Sequence, residues 1–291
     1  MYRLLATTAL VIGCVLVGGF FWWGGHLPQS GRMDAIFFES ESHGFVRRCC
    51  PSDFLMYETE DGGKSWHLSN STQPKLRRGR VFVSPLKGFS VVQDAWPHRE
   101  IHVSEDGGKI WKLRFRSETK TDFYFDNLQA LSETDVLAGC YRTRDGGETW
   151  QKVDIPGGFP FFLDRENGWS INDATILRTM NNGARWEKIG KLPDASKGFD
   201  GGGDLFFLDL QHGWVVGGRQ EGNDEGGALS SAVFYTEDGG ATWKTKAIVP
   251  GYFFWSVFFL NEKIGWAGGT QGSVLKTIDG GKTWKLLGSA A

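Results

Sequence analysis

At 291 residues and a net charge of −2, the chain is long enough for one large domain or two ordinary ones, and it has no global charge of the kind that draws nucleic acid. Hydrophobic residues at 40% and charged ones at 23% exclude disorder for most of its length, and forty-one glycines, thirteen tryptophans and twenty-two phenylalanines stand against four methionines. They point to tight turns and aromatic-packed sheet, an all-β class.

The first element is apolar. Leu4 to Trp23 carries no charge, which is about the ~20 residues a helix needs to cross a bilayer. Three readings compete for it: an uncleaved single-pass anchor, a cleaved signal, and lipidation at Cys14, which follows Val-Ile-Gly in the manner of a bacterial lipoprotein signal. The anchor is favoured, because Val15 to Trp23 stays apolar and ends in an aromatic cluster suited to an interface. Arg3 ahead of the run keeps the short N-terminus in the cytoplasm by the positive-inside tendency and puts the rest of the chain on the extracytoplasmic side. Residues 1–30 are therefore expected to be a transmembrane helix and linker, and residues 31–291 the globular domain. Cys49, Cys50 and Cys140 have no metal-ligand spacing; buried thiols are the plain reading, with one disulfide and one free thiol left open.

From residue 59 a short motif recurs six times: TEDGGKSW, SEDGGKIW, TRDGGETW, TMNNGARW, TEDGGATW and TIDGGKTW. Its acidic position is held by Asp61, Asp106, Asp145, Asn181, Asp238 and Asp279, and its tryptophan by Trp66, Trp111, Trp150, Trp186, Trp243 and Trp284. Those tryptophans lie 36 to 57 residues apart, the period of propeller blades or solenoid turns. Each unit also contains an apolar strand such as VFFLNEK or LFFLDLQ, a Gly-aromatic strand such as GWAGG or GWVVGG, a strand entering the motif and a strand leaving it. Four glycine-punctuated strands per unit, with no amphipathic helical stretch between units, predict a β-propeller of four-stranded blades.

The motif reads as a fold element. Asp-Gly and Gly-Gly supply the positive φ angles of a tight hairpin connection, an Asp at its start accepts backbone N–H groups about two residues on, and the tryptophan buries its ring on a neighbouring strand. Carboxylates on six different blades cannot converge on one substrate. Asn181 can replace a turn acceptor but not a catalytic acid.

The sequence GWAGGTQGSVLKTIDGGKTWKLL and its weaker copies resemble the Asp-box, or BNR, repeats of β-propellers. With the Gly-Trp strand placed about eighteen residues before each motif tryptophan, residues 33–289 are similar to the photosystem II stability/assembly factor family. The resemblance implies a seven-bladed propeller that binds protein partners, whereas six units are visible in the sequence. Asp boxes also occur in sialidases and other carbohydrate-active propellers. The arginine cluster and the early Arg-Ile-Pro segment of a sialidase are missing from this sequence, as are a nucleophile elbow, a P-loop and a dinucleotide fingerprint. His98 and His102 sit at a strand start, where four residues separate two rings by roughly 13 Å, too far to share a metal. No cofactor or metal is expected, and no enzymatic activity.

Blade geometry makes the charges informative. Strand 2–3 loops and inter-blade connections open on one face and the Asp boxes on the other. Arg47 and Arg48 (a loop of blade 1), Lys75, Arg77, Arg78 and Arg80 (the next connection) and His98 and Arg99 (a loop of blade 2) should share one sector, with Arg114 and Arg116 extending it. Opposite stand Glu221, Asp224 and Glu225, with Asp194, Asp200 and Asp204 in the preceding connection. The sequence thus predicts a membrane-tethered, extracytoplasmic propeller whose basic sector docks a protein partner through an acidic segment, as an assembly or stability factor. The alternative is a carbohydrate-binding or degenerate sialidase-like propeller.

Overall fold

The computed structural model describes residues 31–49, 55–69, 80–92, 100–117, 127–157, 160–193, 203–221 and 228–287. These form six four-stranded antiparallel sheets, each built from consecutive strands. Blade 1 is β1 (Arg32–Phe38), β2 (Gly44–Cys49), β3 (Leu55–Thr59) and β4 (His67–Leu68); blade 2 is β5 (Arg80–Phe82), β6 (Gly88–Val92), β7 (Glu100–Ser104) and β8 (Lys112–Arg116). Blade 3 is β9 (Leu128–Ala130), β10 (Val136–Ala138), β11 (Tyr141–Thr143) and β12 (Gln151–Lys152); blade 4 is β13 (Phe161–Phe162), β14 (Gly168–Asn172), β15 (Thr175–Thr179) and β16 (Glu187–Lys191). Blade 5 is β17 (Asp204–Phe207), β18 (Gly213–Glu221), β19 (Ala228–Thr236) and β20 (Lys244–Pro250); blade 6 is β21 (Phe254–Phe259), β22 (Gly265–Gly269), β23 (Val274–Thr277) and β24 (Lys285–Leu287). The blade count follows the six repeat units and not the seven blades of the resemblance. No helix among the described residues is long and apolar enough to cross a membrane. The anchor expected at residues 4–23 lies outside the described residues.

Blade packing explains the Gly-aromatic signature. In five blades the last phenylalanine of strand 1 lies over the glycine that opens strand 2, so that a Cβ on Gly44, Gly88, Gly168, Gly213 or Gly265 would fall 2.3 to 2.7 Å from the ring. Blade 3 pairs Ala130 with Val136 at these positions; the smaller residue on one strand makes room for the larger one on the other. The same rings bind neighbouring blades. Phe207 stacks on Trp169 of blade 4, Phe259 on Trp214 of blade 5 and Phe38 on Trp266 of blade 6, all with centroids 3.8 Å apart. Box tryptophans Trp243, Trp284 and Trp66 meet these phenylalanines edge-on. The Phe38–Trp266 pair closes the ring between the last blade and the first, helped by Gly272 N–H donating to Gly31 O at 3.0 Å. Among the described residues no strand is exchanged across that closure.

The Asp boxes are saturated turns. Asp61 Oδ1 accepts the Thr59 hydroxyl at 2.8 Å and the Lys64 and Ser65 N–H groups at 2.9 Å, and Oδ2 accepts the Ser65 hydroxyl at 2.6 Å. These acceptor contacts reach three and four residues on, across a loop (60–66) longer than a tight hairpin. Both box glycines have positive φ (Gly62 78°, Gly63 91°), and in the fourth copy Asn182 takes the first of these positions at 67°. Asn181 keeps the acceptor function, its Oδ1 receiving the Thr179 hydroxyl at 3.0 Å and Arg185 N–H at 2.9 Å. The Thr149 hydroxyl holds the Asp145 carboxyl well below the usual carboxylate range, and the Ile110 N–H does the same for Asp106. At Asp61, Asp238 and Asp279 burial pushes the pKa up, and the combined hydrogen bonds outweigh it and bring it down.

Candidate functional site

Every box is hydrogen-bonded to the strand 1–2 loop of its own blade; Gly62, Gly107, Gly146, Asn182, Gly239 and Gly280 donate to Ser42, Leu86, Thr134, Glu166, Gln211 and Lys263 carbonyls at 2.7 to 3.0 Å. Boxes and 1–2 loops therefore share one face, and first strands begin and 2–3 turns lie on the other. That second face is the candidate site, and its residues differ from the expected set in informative ways.

Arg47 is not in a loop. It lies within β2 at 4% exposure, its Nε and Nη2 donating to the two carboxylate oxygens of Asp34 at 2.9 and 2.7 Å. Asp34 sits in a register break of β1 and is itself buried. This bidentate pair is part of the fold, since removing one partner would leave an uncompensated buried charge. Arg48 comes next in β2, half-buried, with an enclosed Nε that makes no hydrogen bond to the described residues. Arg80 opens β5, exposed, its guanidinium 4.8 Å from the Trp111 ring centroid. Desolvation, and then the charge of Arg47, pulls its pKa down; an arginine there stays protonated at neutral pH.

Lys75, Arg77, Arg78, His98 and Arg99 lie outside the described residues. Arg116, at the far end of β8, pairs with the buried Glu100, which also receives His102 at 2.7 Å. Those two partners hold the Glu100 carboxyl below its ordinary range, His102 contributing more. Arg114 reaches Glu148 of the neighbouring box at 3.7 Å. Both arginines are on the outer strand, so they belong to the rim. On the acidic side Asp204 is a seam residue; its Oδ2 accepts Val257 N–H of blade 6 at 3.1 Å. Asp194, Asp200, Asp224 and Glu225 lie outside the described residues.

Three residues of this face were not expected. Arg32 at the root of β1 stacks over Trp255, with its guanidinium carbon 4.6 Å from the ring centroid. Trp255 stacks in turn on Phe253 at 4.4 Å. The signal available was Tyr252-Phe253-Phe254-Trp255, four aromatics in succession at a strand start. A strand's alternation can send only half of them to the core: Phe254 is fully buried, while Phe253 and Trp255 are half-buried.

Comparison with known proteins agrees with the repeat. Residues 141–152, the third box, match the BNR/Asp-box repeat family. Over 269 residues, 84% of this chain and 72% of the relative, the sequence is 25% identical to the photosystem II assembly lipoprotein Ycf48 of Synechococcus sp. (strain CC9902). Among solved structures, YCF48 bound to D1 peptide has a TM-score of 0.54 at 16% identity, covering 90% of this chain and 83% of that one. The GH74 xyloglucanase of Xanthomonas campestris has a TM-score of 0.52 at 12% identity, covering 90% of this chain and 46% of that one. These two structural likenesses are likenesses of fold. The chain is an Asp-box β-propeller that resembles the photosystem II assembly factors along most of its length.

Proposed function

We propose that the protein is a membrane-tethered, non-catalytic propeller that assists assembly of a photosystem II-type membrane complex by holding a peptide segment of D1 or a D1-like subunit on the face opposite its Asp boxes. The observation that carries this reading is the sequence similarity to the photosystem II assembly lipoprotein Ycf48 over 84% of the chain. A relative of this fold bound to a D1 peptide supports a polypeptide as the ligand. The site fits that role physically. Arg80, an exposed residue at the start of β5, feels the charge of Arg47, and Lys75, Arg77 and Arg78 precede it in sequence; arginine forks suit carboxylate contacts. A stiff disc of interlocked blades would present this sector without reorganisation, and attachment at the membrane would raise the local concentration of a membrane-borne partner.

Attachment is assigned to the apolar run at 4–23, which puts the propeller on the extracytoplasmic side. The relative's being a lipoprotein raises the standing of lipidation at Cys14 as the means.

The test is capture from detergent-solubilised native membranes. Recovery of a D1-containing complex, weakened strongly by charge reversal at Arg77, Arg78 and Arg80 and by rising salt, is the expected result. Lys282→Glu on the box face should leave capture intact. Capture indifferent to salt and to the arginines would overturn the reading, as would preferential retention of a glycan.

A further inference from the structure

The Arg32–Trp255–Phe253 stack lies where three other features meet. Phe253 is laid over blade 5, because a Cβ on Gly218 of β18 would collide with its ring at 1.7 Å. Its backbone is pinned to the 2–3 turn of blade 6, with Thr270 N–H donating to Phe253 O at 3.0 Å and Phe253 N–H to Thr270 Oγ1 at 3.3 Å. That same turn holds Gly31 through Gly272 N–H. β18 and β19 are nine residues long, against four in β17. β17 accompanies β18 only as far as Val216, while β18 and β19 stay paired through Glu221 and Ala228. The hairpin therefore continues about five residues, or ~16 Å, beyond its inner neighbour, past Gly218 and the phenylalanine that covers it. On the other side of the stack, Arg32 is the cross-strand partner of Cys49, next to Arg48, with Arg80 beyond them on blade 2. One face thus carries, in order, a raised wall on blade 5, an aromatic floor on blade 6 and a cationic edge on blades 1 and 2. The enclosed Nε atoms of both Arg32 and Arg48 have no hydrogen-bond acceptor among the described residues.

We propose that this floor is a second element of the docking site: it receives a large apolar side chain of an extended partner segment, while Arg32, Arg48 and Arg80 take an acidic residue close beside it. The inference rests on the protein-binding reading above and adds what that reading lacks, an apolar specificity determinant centred on Trp255 and Phe253. Aromatic surface backed by guanidinium groups is the composition that anchors peptide contacts. A polypeptide carries an apolar and an acidic side chain close together on one extended segment, so it fits this combination better than a lipid surface does.

The test uses the full chain in detergent micelles against a displayed library of random dodecapeptides, with far-UV circular dichroism and melting curves confirming that each variant folds. Expected is enrichment of sequences with Phe, Trp, Leu or Ile within two residues of Asp or Glu. Trp255→Leu should reduce recovery of the aromatic-bearing sequences about tenfold while the acidic preference persists. Arg32→Gln with Arg80→Gln should do the reverse. Should Trp255→Leu lower the melting temperature, Trp255→Phe supplies the second readout, retaining the apolar preference at reduced strength. Acidic peptides recovered equally by wild type and Trp255→Leu, with no loss of aromatic-bearing sequences, would refute the apolar floor and leave the basic sector standing. Enrichment indifferent to Trp255 and to the arginines, or no enrichment at all, would refute both. Displacement of bound peptides by phosphatidylglycerol vesicles, lost in Trp255→Leu, would make the floor a lipid seat and overturn the proposal.

Discussion

Trp214 and Trp266 occupy the same place in successive blades but should respond differently to the same substitution. Each ring is fully buried and stacked at 3.8 Å on the phenylalanine of the next blade. Trp214 Nε1 donates to the Gly280 carbonyl of blade 6 at 3.2 Å, as Trp169 does to Gly239 of blade 5 at 2.8 Å. The acceptor corresponding to these for Trp266 is the Gly62 carbonyl of blade 1, yet Trp266 Nε1 has no partner among the described residues. Replacement by phenylalanine removes similar volume at both sites, so the cavity cost, about 1–3 kcal/mol, is common to the two. At Trp214 the change also breaks a buried hydrogen bond, worth about 1 kcal/mol. At Trp266 it removes a buried donor that was already orphaned, relieving about 1 kcal/mol or more. Trp214→Phe should therefore be less stable than Trp266→Phe by ~2 kcal/mol, which for a chain of this size is ~3–4 °C in melting temperature. Urea titration and thermal melting followed by far-UV circular dichroism measure the difference directly. Equal destabilisation, or a larger loss at Trp266, would refute the account of the closing seam.

The same packing leads to three further outcomes. Gly265→Ala places a methyl 2.5 Å from the Phe259 ring and should cost about 1–3 kcal/mol in chemical denaturation, an effect absent if the ring simply swings aside. Asp279→Ala orphans the Lys282 and Thr283 N–H groups and should cost about 1–3 kcal/mol, while Asp279→Asn, for which Asn181 is the internal precedent, should cost clearly less; because the carboxyl pKa is depressed by folding, its contribution is present above the unfolded value near 4 and lost as pH falls through the folded one, so the alanine variant should show a flatter acid limb. His212 has its pKa raised, first by its hydrogen bond to Asp209 and then by surrounding carboxylates that include Glu262 of the next blade. Its stabilising contribution is therefore complete below the unfolded value near 6.5 and lost as pH rises through the higher folded value, and wild type should lose stability between neutral and mildly alkaline pH relative to His212→Gln.

Much of the fold was legible because its instructions are local. Asp, Gly and Trp within one eight-residue motif specify a turn that satisfies its own amides, and six copies specify six blades. The Gly-aromatic pairs were recognisable as a pattern, but their reason was not: Gly213 is required by Phe207, six residues earlier on the paired strand, whose ring occupies the space a Cβ would need. Blade 3 escaped the pattern for the same reason, because Ala130 and Val136 satisfy the constraint with reversed sizes and leave no glycine to notice.

The site was less legible, because charge in a sequence says nothing about who neutralises it. Arg47 and Arg48 look alike as neighbours, but strand alternation sends Arg47 inward to Asp34, thirteen residues away across a register break, and leaves Arg48 half-exposed. Reversing Arg47 would damage the first blade whatever its effect on binding, so Arg80 is the informative position for a binding test. Trp255 shows the converse. Its tetrad of aromatics suggests core, whereas β21 is irregular between Phe254 and Ser256, where Trp255 meets Arg32 arriving from the other end of the chain. A contact between residues 32 and 255 exists only because the ring closes, so no local reading of either segment contains it.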